Sequence, residues 1–107
     1  MKTAIYYKKH NGKKPFLDWL NALDTNLKIK VQTKIRKLEN NNNSDCSILK
    51  DTDGIKEARI HTASGLRIYF AEKDQQIIIL LAGGDKDTQK KDIKLAKEYW
   101  QEYKQRS

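Results

Sequence analysis

The spacing of apolar residues in the N-terminal half predicts one short strand followed by two helices. Thr3–Tyr7 forms a β-like run, and Pro15 suits the first turn of a helix, where its missing N–H costs nothing. Apolar residues then recur at helical spacing in two stripes. We expect the two helices to pair as an α-hairpin, with Asp24-Thr25-Asn26 ending the first and able to cap the second. The first stripe is Phe16, Leu20 and Leu23, and the second is Leu27, Val31, Ile35 and Leu38.

The C-terminal half predicts three strands and then a helix. The β-like segments are Ile55–Ile60, Leu66–Glu72 and Gln76–Ala82, with turn residues between them, which favours an antiparallel meander. Ile77–Leu81 is apolar on both faces, as expected of a central strand. The pair Gly83–Gly84 is expected to form a turn after it. A final amphipathic helix is predicted by the stripe Ile93, Ala96, Trp100 and Tyr103.

Together these elements predict one α+β domain over residues 1–107, with two N-terminal helices packed on a small antiparallel sheet and a C-terminal helix. The single cysteine, Cys46, excludes an internal disulfide and favours a reducing cytoplasm. One cysteine and two histidines give no convincing zinc set, so no metal is expected. No apolar run approaches the ~20 residues that span a bilayer, so no membrane association is expected.

The balance of charges points to an anionic partner. The chain has 22 Lys and Arg against 14 Asp and Glu, which gives a formal net charge of +8. Such a protein attracts phosphates and acidic surfaces, although solubility alone is the competing explanation. Basic residues cover the other faces of the second predicted helix, beside its apolar stripe. They are Lys28, Lys30, Lys34, Arg36 and Lys37.

Charged and aromatic residues alternate with apolar ones on two neighbouring strands. If the apolar faces pack on the helices, the alternate faces point outward, and Lys86 lies near the same surface. Arginine binds phosphate with two parallel contacts, and tyrosine can stack on a base, so this face would suit RNA. The residues of this predicted outward face are Glu57, Arg59, His61, Arg67 and Tyr69.

A structural explanation of the same residues remains open. Arginine and glutamate on a sheet often form cross-strand ion pairs without further function. Lys86 would then pair with Asp85 or Asp92, and His61 would be a surface residue rather than a catalytic base.

Several motifs carry a resemblance to a known group of proteins. The chain resembles toxins of the RelE/ParE superfamily, in the HigB-like branch of addiction-module killer proteins and phage-derived Gp49-like proteins. The match covers nearly the whole chain in order, and its most specific part is Gly-Gly-Asp-Lys-x-Thr-Gln. The matching segments are Phe16–Leu20, Lys50–Gly54, Glu57–Ile60, Gly65–Phe70, Leu80–Gln89, Asp92–Ile93 and Ala96.

This resemblance implies a RelE-like fold and a toxin that cleaves mRNA on the ribosome without a metal or cofactor. It also implies neutralisation by a cognate antitoxin that is encoded adjacently. Such antitoxins are commonly of the helix-turn-helix type. The toxin would be linked to operator DNA only through the antitoxin. By the same resemblance, Arg59 and Arg67 hold the phosphate, and Lys86 is a proton donor or a phosphate clamp. Glu57 is either a base or the residue that orients Arg59. The expected RNA contacts are Lys50, Lys56, His61 and Tyr69.

Two other functions remain open at this stage. A ParE-like toxin would bind and inhibit DNA gyrase without nuclease chemistry. A non-catalytic nucleic-acid-binding module would use the same basic surface for binding alone.

Overall fold

A computed structural model describes residues 1–106, as three helices and one five-stranded sheet. The α+β class and the two N-terminal helices are confirmed. The cap of the second helix comes from the predicted segment: the Asp24 carboxylate accepts a hydrogen bond of 2.9 Å from the Leu27 amide. The elements are β1 Thr3–Tyr6, α1 Pro15–Ala22, α2 Thr25–Glu39, β2 Cys46–Ile48, β3 Lys56–Ile60, β4 Leu66–Lys73, β5 Ile77–Gly84 and α3 Gln89–Arg106.

The sheet is mixed, so the prediction of an antiparallel sheet was wrong in one strand. The strand order is β1-β5-β4-β3-β2; β1 runs parallel to β5, and all the other pairs are antiparallel. The predicted meander of β3, β4 and β5 is confirmed, and β5 lies inside the sheet, between β1 and β4, as its apolar sequence indicated. β2 was not predicted, because three residues are too few to show an alternating pattern.

Helices cover both faces of the sheet. α1 and α2 pack on one face, where Phe16 and Leu38 join Ile68 in a buried cluster. α3 packs on the opposite face, where Trp100 joins Tyr69 in a second cluster. The face predicted to point outward is therefore largely covered.

Gly83 and Gly84 end β5 rather than form a turn, because they pair with Ile68 and Arg67 of β4. Glycine is needed at both positions because side chains from the helices on the two faces of the sheet pack directly against the backbone of β5. A Cβ on Gly83 would run into the ring of Trp19 from α1. A Cβ on Gly84 would run into the carboxylate of Asp92 from α3.

Gly84→Ala is therefore expected to lower the free energy of unfolding by about 1–3 kcal/mol, the usual cost of overpacking. Urea denaturation measures this loss. In an Asp92→Ala background the obstructing carboxylate is gone, so the added methyl group should cost less. Equal costs in the two backgrounds would contradict this explanation of the glycine pair.

Candidate functional site

Two arginines lie side by side on neighbouring strands. Arg59 of β3 pairs directly with Arg67 of β4, and Arg67 pairs in turn with Gly84 of β5. Like charges at paired positions repel one another, so a compensating anion is needed. Glu57 supplies it, with its Oε1 3.9 Å from Arg59 Nε and its Oε2 3.7 Å from Arg67 Nε. The structure therefore brings together three of the four predicted catalytic residues.

Glu57 is buried, contrary to the expectation that it points outward. Its side chain is 6% exposed, against 16% for Arg67 and 55% for Arg59. Gln89, the first residue of α3, donates a hydrogen bond of 2.8 Å from Nε2 to Glu57 Oε2. The carboxylate thus sits beneath the arginines and is fixed from the other side by α3. Gln89 was missed as a site residue, although it ends the most specific motif of the sequence.

Tyr69 does not serve the role predicted for it. The ring is fully buried under α3, so it is not available to stack on a base. Burial first, and the negative charge of Glu57 second, raise the pKa of the Tyr69 hydroxyl. Within residues 1–106 this hydroxyl has no hydrogen-bond partner. Tyr69 is therefore a core residue that lies directly behind Glu57.

Lys86 lies beside the arginines, in the turn between β5 and α3. Its backbone amide donates to the Ser64 carbonyl over 3.2 Å, which ties this turn to the one before β4. A Cβ on Gly65 would lie 3.3 Å from both Arg67 Nη1 and Lys86 Cβ, so both side chains pass close to this glycine. The structural alternative was that Lys86 pairs with Asp85 or Asp92. Among residues 1–106, no ion pair joins Lys86 to either of these carboxylates. Lys86 is exposed and adds a third positive charge to the site.

The sequence from 18 to 101 matches the family model of phage-derived Gp49-like proteins (DUF891). The chain belongs to the Gp49-like family. An uncharacterised protein of Haemophilus influenzae (strain Rd) is 42% identical over 83 residues, which cover 77% of this chain and 82% of that relative. The matched stretch of this chain contains Glu57, Arg59, Arg67, Lys86 and Gln89.

Two of the predicted RNA contacts of this Gp49-like protein, Lys50 and Lys56, lie away from the arginines. Lys56 is on the opposite face, where its ammonium group is 3.2 Å from Glu72. Burial opposes ionisation of Glu72, but hydrogen bonds from Lys2 and Lys56 outweigh it and hold the pKa below its ordinary value. Lys50 is exposed in the loop between β2 and β3, the strand that carries Arg59. Neither lysine is among the residues that line the cavity at Arg67.

His61 does lie at the site. It lines a cavity of about 170 Å³ together with Arg59, Arg67 and Gly65, which we call the arginine pocket. Arg59 and His61 also line a second cavity of about 250 Å³, which reaches Lys30 and Lys37 of α2. The two cavities share Arg59, Ile60 and His61 in their linings, and we call them together the basic groove at the end of β3.

No group of three or more His, Cys, Asp or Glu side chains within residues 1–106 is arranged to hold a metal ion. None of the three helices in this part of the Gp49-like chain is long and apolar enough to cross a membrane.

Proposed function

We propose that this Gp49-like protein is the toxin of a type II toxin–antitoxin system and inhibits translation by cleaving mRNA on the ribosome. The observation that carries the proposal is the pairing of Arg59 and Arg67 around the buried Glu57 carboxylate, with Lys86 beside Arg67 at the same end of the sheet. The resemblance to HigB-like toxins of the RelE/ParE superfamily supports the same function.

The chemistry that fits this site is attack by the ribose 2′-oxygen on the adjacent phosphorus. Negative charge then develops on the phosphorane oxygens, and fixed positive groups lower the energy of that state. Arg59 and Arg67 are suited to this role, because guanidinium groups bind phosphate through two parallel contacts. Lys86, on the far side of β4 from Arg59, donates a proton to the leaving 5′-oxygen. The products are a 2′,3′-cyclic phosphate and a free 5′-hydroxyl.

The net charge of +8 supports ribosomal RNA and mRNA as partners, since it draws the protein towards polyanions. The proposal also includes a cognate antitoxin that neutralises the toxin in a cytoplasmic complex. A helix-turn-helix protein encoded by the adjacent gene is the expected antitoxin. Its DNA-binding domain, rather than the toxin, would contact operator DNA.

Expression of the chain alone is expected to arrest growth, and co-expression of the neighbouring gene is expected to relieve the arrest. Purified protein should cleave a defined mRNA on programmed ribosomes and leave 5′ ends that polynucleotide kinase labels directly. The measurements are growth after induction and mapping of the new RNA ends.

The control and the competing functions are separated in the same assays. Arg36→Ala removes one exposed positive charge on α2, away from the arginine pocket, and should leave cleavage unchanged. Growth arrest with intact mRNA and inhibited DNA gyrase would favour a ParE-like inhibitor. RNA binding without arrest or cleavage would indicate a non-catalytic binding module.

A further inference from the structure

His61 has a carboxylate partner that the sequence does not reveal. The residue directly follows β3, and its Nε2 lies 3.1 Å from Oδ2 of Asp45, which directly precedes β2. The Asp45 carbonyl also accepts a hydrogen bond of 3.0 Å from the Arg59 amide. The pairing of β2 with β3 therefore holds the carboxylate beside the imidazole and both beside Arg59.

The position of His61 relative to the arginine pocket is set by the register of three strands. Arg59, Arg67 and Gly84 form one row across β3, β4 and β5. β3 and β5 both run antiparallel to β4, so both leave the sheet at the same end. His61 lies two residues beyond Arg59, and Lys86 lies two residues beyond Gly84.

The two residues consequently flank the end of β4 from opposite sides. Neighbouring strands are about 4.8 Å apart, so β3 and β5 are separated by roughly 10 Å. A phosphate held by Arg67 would lie between them. Displacement at phosphorus requires the attacking and leaving oxygens to be in line, on opposite sides of that phosphate. A proton acceptor on one side of β4 and a proton donor on the other meet this requirement.

We propose that His61, oriented by Asp45, is the general base of the cleavage reaction; this inference rests on the nuclease function proposed above. Asp45 accepts the Nε2–H, which leaves the lone pair of Nδ1 free for the substrate. The 2′-hydroxyl proton moves to Nδ1 as the O2′–P bond forms. The P–O5′ bond breaks, and the 5′-oxygen takes its proton from Lys86. Asp45 is a positioning residue, because it acts only through the imidazole.

The charged groups around His61 favour an anionic substrate at this position. The imidazole is 79% exposed, so the substrate can reach it from solvent. Asp45 is the acidic residue of the groove, and every other charged residue that lines it is cationic. The groups that face His61 are Asp45 before β2, Arg59 on β3, Arg67 on β4, and Lys30, Lys34 and Lys37 on α2.

His61→Gln is expected to lower the rate of cleavage on programmed ribosomes by about 10²–10⁴, the usual contribution of a general base. Binding of an mRNA with a 2′-deoxy sugar at the mapped cleavage site should be retained. His61→Ala should regain activity when free imidazole is added. Because a general base must be unprotonated to act, the wild-type rate should rise with pH, and this rise should be absent in His61→Gln.

His10 provides a matched control. Its side chain is 78% exposed and pairs with Glu102 over 2.9 Å, so it resembles His61 in exposure and in having a carboxylate partner. His10 does not line the arginine pocket. His10→Gln should therefore leave the rate and its pH dependence unchanged. Asp45→Asn should lower the rate less than His61→Gln and keep the rise with pH.

The outcomes separate this inference from the proposed function. If the wild-type protein does not cleave RNA, the proposed function fails and the inference fails with it. If the wild-type protein cleaves and His61→Gln cleaves at the same rate, the nuclease function stands and His61 is not the base. A slower His61→Gln protein with an unchanged pH profile, or with a loss confined to RNA binding, also overturns the inference.

Discussion

Replacing Arg67 by alanine is expected to lower the rate of RNA cleavage by about 10²–10³, the loss seen when one group that stabilises transition-state charge is removed. Arg67 is the central member of the row, between Arg59 and the strand that leads to Lys86. Its Nη1 also donates a hydrogen bond of 2.9 Å to the Gly65 carbonyl. That contact fixes the guanidinium at the turn, so the Arg67 side chain loses little conformational entropy when a phosphate binds.

The alanine variant has a second effect that must be measured beside activity. Glu57 is more deeply buried than its two arginine partners, so removal of Arg67 weakens the compensation of a buried charge. Thermal melting of the same samples measures this loss of stability. A variant that melts with the wild type and still cleaves at the wild-type rate would contradict the proposed site.

Arg67→Lys separates the positive charge from the shape of the guanidinium. Lysine keeps a cation near Glu57, so the melting temperature should stay close to that of the wild type. It lacks the planar pair of donors, so cleavage should recover only in part. Equal rates for Arg67→Lys and the wild type would reduce the role of Arg67 to its charge.

The sequence predicts the parts of the fold that depend on local periodicity. The stripe from Leu27 to Leu38 is helical because its apolar residues recur every three or four positions. The hairpins of β3, β4 and β5 follow from short turns between β-like runs, and they alone make Arg59 and Arg67 neighbours. The sequence therefore places Arg59 and Arg67 on adjacent strands, and the register of the hairpin makes them direct partners.

The features that could not be predicted join residues far apart in the chain. The parallel pairing of Ile5 with Ile79 depends on packing across the whole domain, to which local patterns give no access. The sequence pattern predicts an exposed Glu57, because this residue alternates with apolar residues along the strand. It is buried because α3 crosses that face and brings Gln89 to it, 32 residues along the chain. The partnership of His61 with Asp45 likewise depends on β2, which was too short to recognise.

Replacing Glu57 by glutamine is expected to lower the cleavage rate by about 10²-fold, because misplacement of catalytic groups by ~1 Å is enough for such a loss. Glutamine has nearly the same shape and can still accept the hydrogen bond from Gln89. It lacks the negative charge that offsets the repulsion between Arg59 and Arg67. We also expect the free energy of unfolding to fall by about 1–3 kcal/mol, since Arg67 loses its anion in a largely buried position.

Glu98→Gln is the matched control for this charge change. Glu98 is exposed on α3 and does not line the arginine pocket, so its replacement should change neither activity nor stability appreciably. Cleavage by Glu57→Gln at the rate of Glu98→Gln would contradict a role for the buried carboxylate in holding the arginines.

The pH profile of Glu57→Gln then decides which of its two predicted roles applies. Glu57 lies beneath the guanidinium groups and is 6% exposed, so a 2′-hydroxyl bound at the arginines would meet them before it met the carboxylate. Replacement of a positioning residue should lower the rate at every pH and leave the rise with pH in place, because that rise belongs to the base. If Glu57 were itself the base, its replacement would remove the pH dependence as well. We expect the first result, since the structure surrounds Glu57 with Arg59, Arg67 and Gln89, all of which contact its carboxylate oxygens.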